Sequence, residues 1–194
     1  MANPTVLLPS CKSTTQRALI CAALGSGEVV LQNVSRADDC LNLRRCLQTL
    51  GVSITPLEID GDWLIRGCAG NIPKKEAVLD CGAGGTTFRF LWALGATQRG
   101  DYQFLVDEQL KGRPHEALFA ASSQLNCQFE STDNGWHLDS LNWQPCDLII
   151  DCEVSSQFVS AFALAQFHRA AFGVMALADK QMPYFELTQK IMGQ

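Results

Sequence analysis

The sequence predicts an α/β fold built from three similar units, each with the element order βαβαββ. Three observations support this prediction. Short apolar runs of strand length alternate with stretches of helical periodicity, and two of the units end in a hairpin pattern. The first helix of each unit begins near Ser13, Gly84 and Ser155, a spacing of about 71 residues that indicates an internal repeat. We expect the 194 residues to form one domain, 1–194, with units at about 4–70, 76–142 and 147–194.

The first unit opens with a short apolar run, followed by apolar residues at helical spacing up to Gly25. A second strand and helix end at Gly51, and two further apolar runs flank a turn at Asp60 and Gly61. The predicted elements are a strand at 5–8, a helix at 14–24, a strand at 29–34, a helix at 41–51 and strands at 52–57 and 62–67.

The second unit repeats this order and closes with a hairpin around Asn134 and Gly135, a pair that favours tight turns. The third unit begins in the same way, but the chain stops at Gln194 before any closing hairpin, so we expect a boundary imposed by truncation. The predicted elements are strands at 77–81, 102–107, 127–132, 136–140, 146–151 and 172–178, and helices at 85–94, 115–125, 155–167 and 185–192.

Composition narrows the possible functions. The formal net charge is −5 and the pI is near 5.1, which argues against a broad nucleic-acid or membrane-binding surface. Nine cysteines, an odd number, form no C-x-x-C pair, so we expect neither a disulfide framework nor a zinc site, and we expect a protein of the reducing cytoplasm. The sequence also shows no signal-peptide pattern and no apolar stretch of membrane-spanning length.

The starts of the three first helices are the best candidates for a binding site. Small and hydroxyl residues precede them, in C-K-S-T-T-Q-R, G-A-G-G-T-T-F-R and S-S-Q, and a helix start offers free N–H groups and partial positive charge. For any one of these segments taken alone, ordinary helix capping is the better explanation. Because all three recur at one repeat position, we expect them to meet at one end of the domain and to bind anions.

Several side chains could complete such a site. Lys12 and Arg17 lie one helical turn apart and could grip a phosphate or carboxylate from two sides. Arg113 opens the second helix of unit two, and Tyr184 lies at the matching place in unit three, where a surface loop cation and a packing aromatic are the alternative explanations. The glycines around Gly85 permit close backbone approach, although their spacing matches no mononucleotide motif.

Other chemistry-bearing residues give no motif. The three histidines, His115, His137 and His168, have neither metal-ligand spacing nor a nucleophile partner. Asp38 and Asp39 fit the electrostatics of a helix start, and no carboxylate pair suggests a general acid and base. The four tryptophans are interpreted as packing residues: Trp63, Trp92, Trp136 and Trp143.

Five ordered sequence blocks resemble the enolpyruvyl transferases. The blocks are L-P-S-C-K-S-T-T-Q-R-A-L, L-D-C-G-A-G-G-T-T-F-R-F-L, L-K-G-R-P, V-S-S-Q-F-V-S-A and P-Y-F-E-L-T, and together they span nearly the whole chain. The resemblance implies an inside-out α/β barrel lobe of three βαβαββ units. It also implies transfer of the enolpyruvyl group of phosphoenolpyruvate to the 5-hydroxyl of shikimate 3-phosphate, in the pathway to aromatic amino acids, with no metal or organic cofactor.

The resemblance also implies roles for individual residues. Lys12 is expected to touch both substrates and to be the catalytic residue of this lobe, and Gly85 and Arg113 to contact phosphoenolpyruvate. The residues expected to contact shikimate 3-phosphate are Ser13, Arg17, Ser155, Ser156, Gln157 and Tyr184, with Gln157 shared between the substrates.

The chain departs from the family pattern at several positions. Ala83, Gln16 and Gln181 stand where the family usually has Asn, Asn or His, and Ser. The loss of an amide at Ala83 is expected to weaken the binding of phosphoenolpyruvate or of glyphosate. The family also has a second lobe that carries the acid/base Asp and Glu. We expect this lobe as the missing partner and an isolated chain that binds substrate but lacks full activity.

Three other readings remain at this stage. A related transferase lobe that acts on UDP-N-acetylglucosamine would carry a reactive Cys near Arg113, where the nearest cysteines are Cys81 and Cys127. A non-catalytic module that binds phosphorylated metabolites would tolerate Ala83 and Gln181. RNA-end processing on a similar repeat is disfavoured by the acidic pI.

Overall fold

The computed structural model describes residues 3–59, 61–168, 170–177 and 182–193. Ten strands and seven helices alternate along these residues. The helices are α1 (Lys12–Leu24), α2 (Asp38–Thr49), α3 (Gly85–Ala96), α4 (Glu108–Lys111), α5 (Glu116–Gln124), α6 (Gln157–Ala165) and α7 (Pro183–Met192). The strands are β1 (Thr5–Leu7), β2 (Glu28–Gln32), β3 (Ser53–Pro56), β4 (Trp63–Arg66), β5 (Glu76–Gly82), β6 (Asp101–Val106), β7 (Gln128–Thr132), β8 (Gly135–Asp139), β9 (Leu148–Asp151) and β10 (Val174–Leu177).

The strands form three sheets in the described part of the chain. Two have four strands and the same connectivity, β1-β2-β4-β3 and β5-β6-β8-β7, with the first pair parallel and the rest antiparallel. The third is a parallel pair of β9 and β10. The predicted α/β class and alternation of elements are therefore confirmed.

The predicted hairpin of the second unit forms between β7 and β8. Gly135 has a φ of +147°, and a Cβ at this position would lie 2.0 Å from the carbonyl oxygen of Phe104. The backbone N–H of Val106 donates to the carbonyl of Asn134. A residue without a side chain is thus required where the hairpin meets β6.

The first helix of each predicted unit lies in the interior. Eleven of the twelve residues of α3 are buried, and α3 packs against both α1 and α6. Strands β9 and β10 instead alternate between more buried and more exposed residues, so their sheet has an outer face toward solvent. All four tryptophans are buried, as predicted.

Helix α4 is the element that the sequence analysis missed. It is a single turn that begins where the Asp107 carboxylate accepts a hydrogen bond from the backbone N–H of Leu110, at 2.8 Å, and ends at Gly112. Four residues are too few for helical periodicity to register. The turn matters because Arg113 follows it directly.

Candidate anion site at the helix starts

The chain geometry explains why helix starts gather at one end. Each inner helix begins just after a parallel strand: α1 after β1, α3 after β5 and α6 after β9. In α/β folds, ligands bind beyond the carboxyl ends of such strands, where the first turns of the helices leave backbone N–H groups free. The side chains of these first turns contact one another, as the following pairs show.

Lys12, the first residue of α1, forms an ion pair with Asp39 in the first turn of α2. The ammonium nitrogen lies 2.9 Å from the Asp39 Oδ2, and this hydrogen bond raises the pKa of Lys12. About half of the Lys12 side chain is exposed, at 51%. The raised pKa keeps Lys12 charged. Because an ammonium carries three N–H donors, Lys12 can contact a ligand oxygen as well as Asp39.

Asp39 was predicted to stabilise the start of α2, and it does lie in the first turn of that helix. The sequence analysis did not find its second partner, Lys12, 27 residues away. Only the packing of α1 on α2 brings the two charges together.

Arg17 is buried, with 1% of its surface exposed. Its Nε donates to the Thr188 hydroxyl at 2.7 Å, its Nη1 to the Ser13 carbonyl at 2.9 Å, and its Nη2 to the Tyr184 carbonyl at 3.2 Å. The guanidinium lies 5.3 Å from the centre of the Phe90 ring. Burial lowers the pKa of Arg17 to about 10. The helical pattern predicted an inward-facing arginine, and it lies here under α7.

Arg89 is the counterpart in α3 of Arg17 in α1, because each is the last residue of a T-T-x-R sequence. Its Nη1 donates to the Gln157 Oε1 at 2.7 Å, and its Nη2 to the Pro114 carbonyl at 3.2 Å. Burial, with a smaller contribution from the charge of Arg113, lowers the pKa of Arg89 to about 10. The sequence analysis did not single out this residue, although the repeated T-T-x-R was a signal for it.

Neither buried guanidinium has an acidic partner in the part of the chain that the structure describes. No Asp or Glu in the described ranges lies within 4 Å of the Arg17 or Arg89 nitrogens, and the Arg89 Nε has no hydrogen-bond partner there. Buried charges in proteins are normally paired. Two buried cations without a carboxylate among the described residues therefore favour an anionic ligand.

Gly85 and Arg113 come together, as the anion site requires. A Cβ on Gly85 would lie 3.3 Å from the Arg113 Nη1, so the glycine lets the guanidinium approach the start of α3. Arg113 is exposed, and the chain at this point is fixed by a bond from its backbone N–H to the Leu110 carbonyl. This places an exposed cation beside the buried Arg89.

Ser155 and Ser156 precede α6, with Ser156 at the N-cap position. The Ser155 hydroxyl accepts a hydrogen bond from the backbone N–H of Gln157, at 3.2 Å. Both serines are half-buried, and Tyr184, the second residue of α7, is exposed. The Ser13 carbonyl accepts from Arg17, and its own side chain is half-buried.

A polar chain links the starts of α1, α2 and α3. The buried Gln16 amide donates to the Thr87 hydroxyl at 3.1 Å, and that hydroxyl donates to the Asp39 carbonyl at 3.0 Å. Gln16, one of the departures from the family pattern, thus has a structural partner in α3. Gln181, another departure, lies outside the described residues, and Ala83 lies in the turn before α3.

The contacts form two clusters. One joins Lys12, Asp39 and Thr87, and the other joins Arg89, Gln157 and Pro114. Thr87 and Arg89 lie two residues apart in α3, so both clusters lie at the start of this helix. No hydrogen bond joins Lys12 to Gln157 among the described residues, and their convergence on one ligand stays a prediction.

A cavity of about 310 Å³ lies elsewhere, along α1 toward its C-terminal end. Its lining is almost entirely apolar, with Val6, Ala22 and Phe167 among the residues, and its one charged group is the carboxylate of Glu28. An anion would lose hydration there without gaining a cation. The helix starts are therefore the better candidate for an anionic ligand.

Comparison with known proteins shows the family of this chain. The sequence profile of EPSP synthase (3-phosphoshikimate 1-carboxyvinyltransferase) matches residues 2–194. The chain belongs to the EPSP synthase family. Similar proteins named 3-phosphoshikimate 1-carboxyvinyltransferase include one from Cupriavidus necator, 30% identical over all of this chain and 46% of its own length, and one from Ralstonia nicotianae, 33% identical over 100% and 47%.

Solved structures share the fold of this EPSP synthase family member. EPSP synthase from Acinetobacter baumannii superposes with a TM-score of 0.75 at 20% identity, over 95% of this chain and 42% of that protein. The enolpyruvyl transferase NikO from Streptomyces tendae gives 0.57 at 14% identity, over 92% and 42%. The predicted enolpyruvyl transferase fold is thus confirmed, and the chain spans about half the length of the curated relatives it matches.

Among residues 3–59, 61–168, 170–177 and 182–193, no group of three or more His, Cys, Asp or Glu side chains could hold a metal ion. No helix in those ranges combines the length and apolar character that a membrane span needs.

Proposed function

We propose that this chain is the lobe of an EPSP synthase that binds shikimate 3-phosphate and contributes to the binding of phosphoenolpyruvate. The enzyme would transfer the enolpyruvyl group to the 5-hydroxyl of shikimate 3-phosphate and release phosphate. The observation that carries the proposal is the pair of buried guanidinium groups, Arg17 and Arg89, with no acidic partner among the described residues. Two anionic substrates would supply the missing negative charge.

The start of α6 supports a role in binding the phosphate of shikimate 3-phosphate. Ser155 and Ser156 offer hydroxyl groups, and the first turn of a helix offers N–H donors with partial positive charge. Arg89 binds the Gln157 Oε1, and no described residue accepts a hydrogen bond from the Gln157 side-chain NH₂, so these donors can meet a ligand. Arg89 would thereby fix the orientation in which Gln157 meets the substrate.

The pair of Gly85 and Arg113 supports a role in binding phosphoenolpyruvate. An exposed guanidinium held against a helix start offers a planar set of donors that suits a carboxylate or phosphate. Ala83 adds no side-chain donor to this turn, whereas the family's usual Asn would. We propose weaker binding of phosphoenolpyruvate than in relatives that carry the amide.

Lys12 would act as a permanent cation in this lobe. Its bond to Asp39 favours the protonated form, so the ammonium is suited to stabilise negative charge that develops in the tetrahedral adduct. It is poorly suited to remove a proton. We therefore propose that the acid/base groups come from a second lobe and that the isolated chain releases no phosphate above background.

Isothermal titration of the full 194-residue chain tests the binding role. We expect shikimate 3-phosphate to bind, shikimate without the phosphate to bind at least tenfold more weakly, and UDP-N-acetylglucosamine not to bind. A chain that binds UDP-N-acetylglucosamine in preference would support the related transferase. A chain that binds neither anion would refute the proposed function.

A further inference from the structure

The shortest of the three hydrogen bonds described above for Arg17 joins it to a residue outside the predicted site. Thr188, in α7, is fully buried, and its hydroxyl oxygen lies 2.7 Å from the Arg17 Nε. The same oxygen lies 2.9 Å from the Tyr184 carbonyl oxygen and 3.0 Å from the Ser160 hydroxyl oxygen. Three polar neighbours thus surround one hydroxyl in the interior.

The chemistry of these neighbours fixes the direction of every bond. A hydroxyl has one hydrogen to donate and two lone pairs to accept with. The Tyr184 carbonyl can only accept and the Arg17 Nε can only donate, so Thr188 donates to Tyr184 and accepts from Arg17. The second lone pair of Thr188 is then left for the hydroxyl hydrogen of Ser160. Every hydrogen-bonding position of Thr188 is occupied in this arrangement.

We propose that Thr188 is a positioning residue that holds the Arg17 guanidinium in one orientation in the anion site. This inference rests on the proposed function for its consequence in ligand binding. The Thr188 hydroxyl would accept from the Nε of Arg17. The Ser13 carbonyl accepts one N–H of Nη1, and the Tyr184 carbonyl accepts one N–H of Nη2. Of the five N–H groups of a guanidinium, two then remain to meet an anion.

The repeat supplies an internal comparison. Arg89 is the counterpart of Arg17, yet its Nε has no hydrogen-bond partner among the described residues. The Thr188 hydroxyl therefore serves only one of the two buried arginines. A change at Thr188 should alter Arg17 and leave Arg89 as it is.

The test replaces the hydroxyl while keeping the shape. Thr188→Val removes it, and Thr188→Ser retains it as the matched control. In ¹⁵N–¹H spectra of the full chain, with the two Nε–H signals assigned by Arg17→Lys and Arg89→Lys, we expect the Arg17 signal to exchange with water at least tenfold faster in Thr188→Val. The Arg89 signal should stay unchanged, and Thr188→Ser should restore the wild-type Arg17 signal.

The second readout is affinity for shikimate 3-phosphate. Loss of a hydrogen bond to a charged group should weaken binding about tenfold in Thr188→Val and much less in Thr188→Ser. If Thr188→Val does not fold, Ser160→Ala, which removes one of the bonds that orient Thr188, should accelerate Arg17 Nε–H exchange instead.

Two results would separate the claims. A folded Thr188→Val variant with unchanged Arg17 Nε–H exchange overturns the positioning role, and so does a Ser160→Ala variant with unchanged exchange if Thr188→Val fails to fold. A wild-type chain that does not bind shikimate 3-phosphate refutes the proposed function, while the spectra still decide whether Thr188 holds Arg17.

Discussion

Replacing Arg89 with methionine separates the effect of this residue on the free energy of unfolding from its effect on ligand affinity. The lowered pKa of Arg89, about 10 against 12.5, sets the cost of keeping the charge buried at no more than about 3 kcal/mol, at about 1.36 kcal/mol per pKa unit. Arg89→Met relieves this cost. It also removes the hydrogen bonds that Arg89 donates to Gln157 and Pro114, each worth about 1.5 kcal/mol because the donor is charged.

These contributions nearly cancel. The guanidinium packs 4.8 Å from the centre of the Phe158 ring, and the methionine sulfur can replace that contact. We therefore expect the free energy of unfolding of Arg89→Met to lie within about 1 kcal/mol of wild type. Leu91→Ala in the same helix calibrates the scale, because truncating a fully buried leucine should cost about 2–5 kcal/mol.

Thermal unfolding with and without shikimate 3-phosphate is the assay. A ligand at one hundred times its dissociation constant stabilises the folded state by about 2.7 kcal/mol, so the wild-type Tm should rise. The Tm of Arg89→Met should not respond to the ligand. A variant that is destabilised as much as Leu91→Ala, yet keeps the full ligand-induced shift, would show that Arg89 is a core residue and refute this reasoning.

Three other predictions follow from the same contacts. Lys12→Met should weaken the binding of shikimate 3-phosphate in calorimetry by about 2–5 kcal/mol and lower stability by less than about 1 kcal/mol. Arg66→Met, at the exposed ion pair of Arg66 with Glu28, should leave binding intact, and equal affinities in both variants would contradict the assignment. Burial lowers the pKa of His115, and the charges of Arg89 and Arg113 lower it further. The hydrogen bond to the Leu110 carbonyl and the charge of Glu116 oppose this change with smaller contributions. The contribution of neutral His115 to stability should therefore be complete above about pH 6.5 and be lost as the pH falls toward the lowered pKa. In chemical denaturation between pH 7 and 5, the free energy of unfolding should depend less on pH in His115→Phe than in wild type. Hydrogen bonds from Thr14 lower the pKa of the exposed Cys11, whereas burial raises the pKa of Cys21 and Cys127 to about 12. Iodoacetamide should modify Cys11 first in peptide mapping, and labelling that begins at a buried cysteine would contradict this.

Local signals were sufficient to predict most of the fold. The predicted helix at 14–24 differs by two residues from α1, Lys12–Leu24, and the hairpin at Asn134 and Gly135 forms where the turn chemistry placed it. These features depend on periodicity and on turn residues, which act over a few positions. The single turn α4 was not predicted because its four residues are too few to show helical periodicity.

The candidate site was harder to predict because its contacts are long-range. Arg17 was found from its helical spacing to Lys12, but its partners Tyr184 and Thr188 lie more than 160 residues further along the chain. The pairing of Lys12 with Asp39 likewise depends on the packing of α1 against α2. Residue types at helix starts indicated an anion site, whereas which donors are already occupied could be read only from the structure.

The most direct test of the central claim is a crystal structure of this chain with shikimate 3-phosphate. We expect its phosphate within hydrogen-bonding distance of Ser155, Ser156 and Gln157 at the start of α6, with its ring toward Lys12. Electron density for the ligand in the apolar cavity along α1, or at any place away from the helix starts, would contradict the claim that Arg17 and Arg89, which have no acidic partner among the described residues, mark a substrate site.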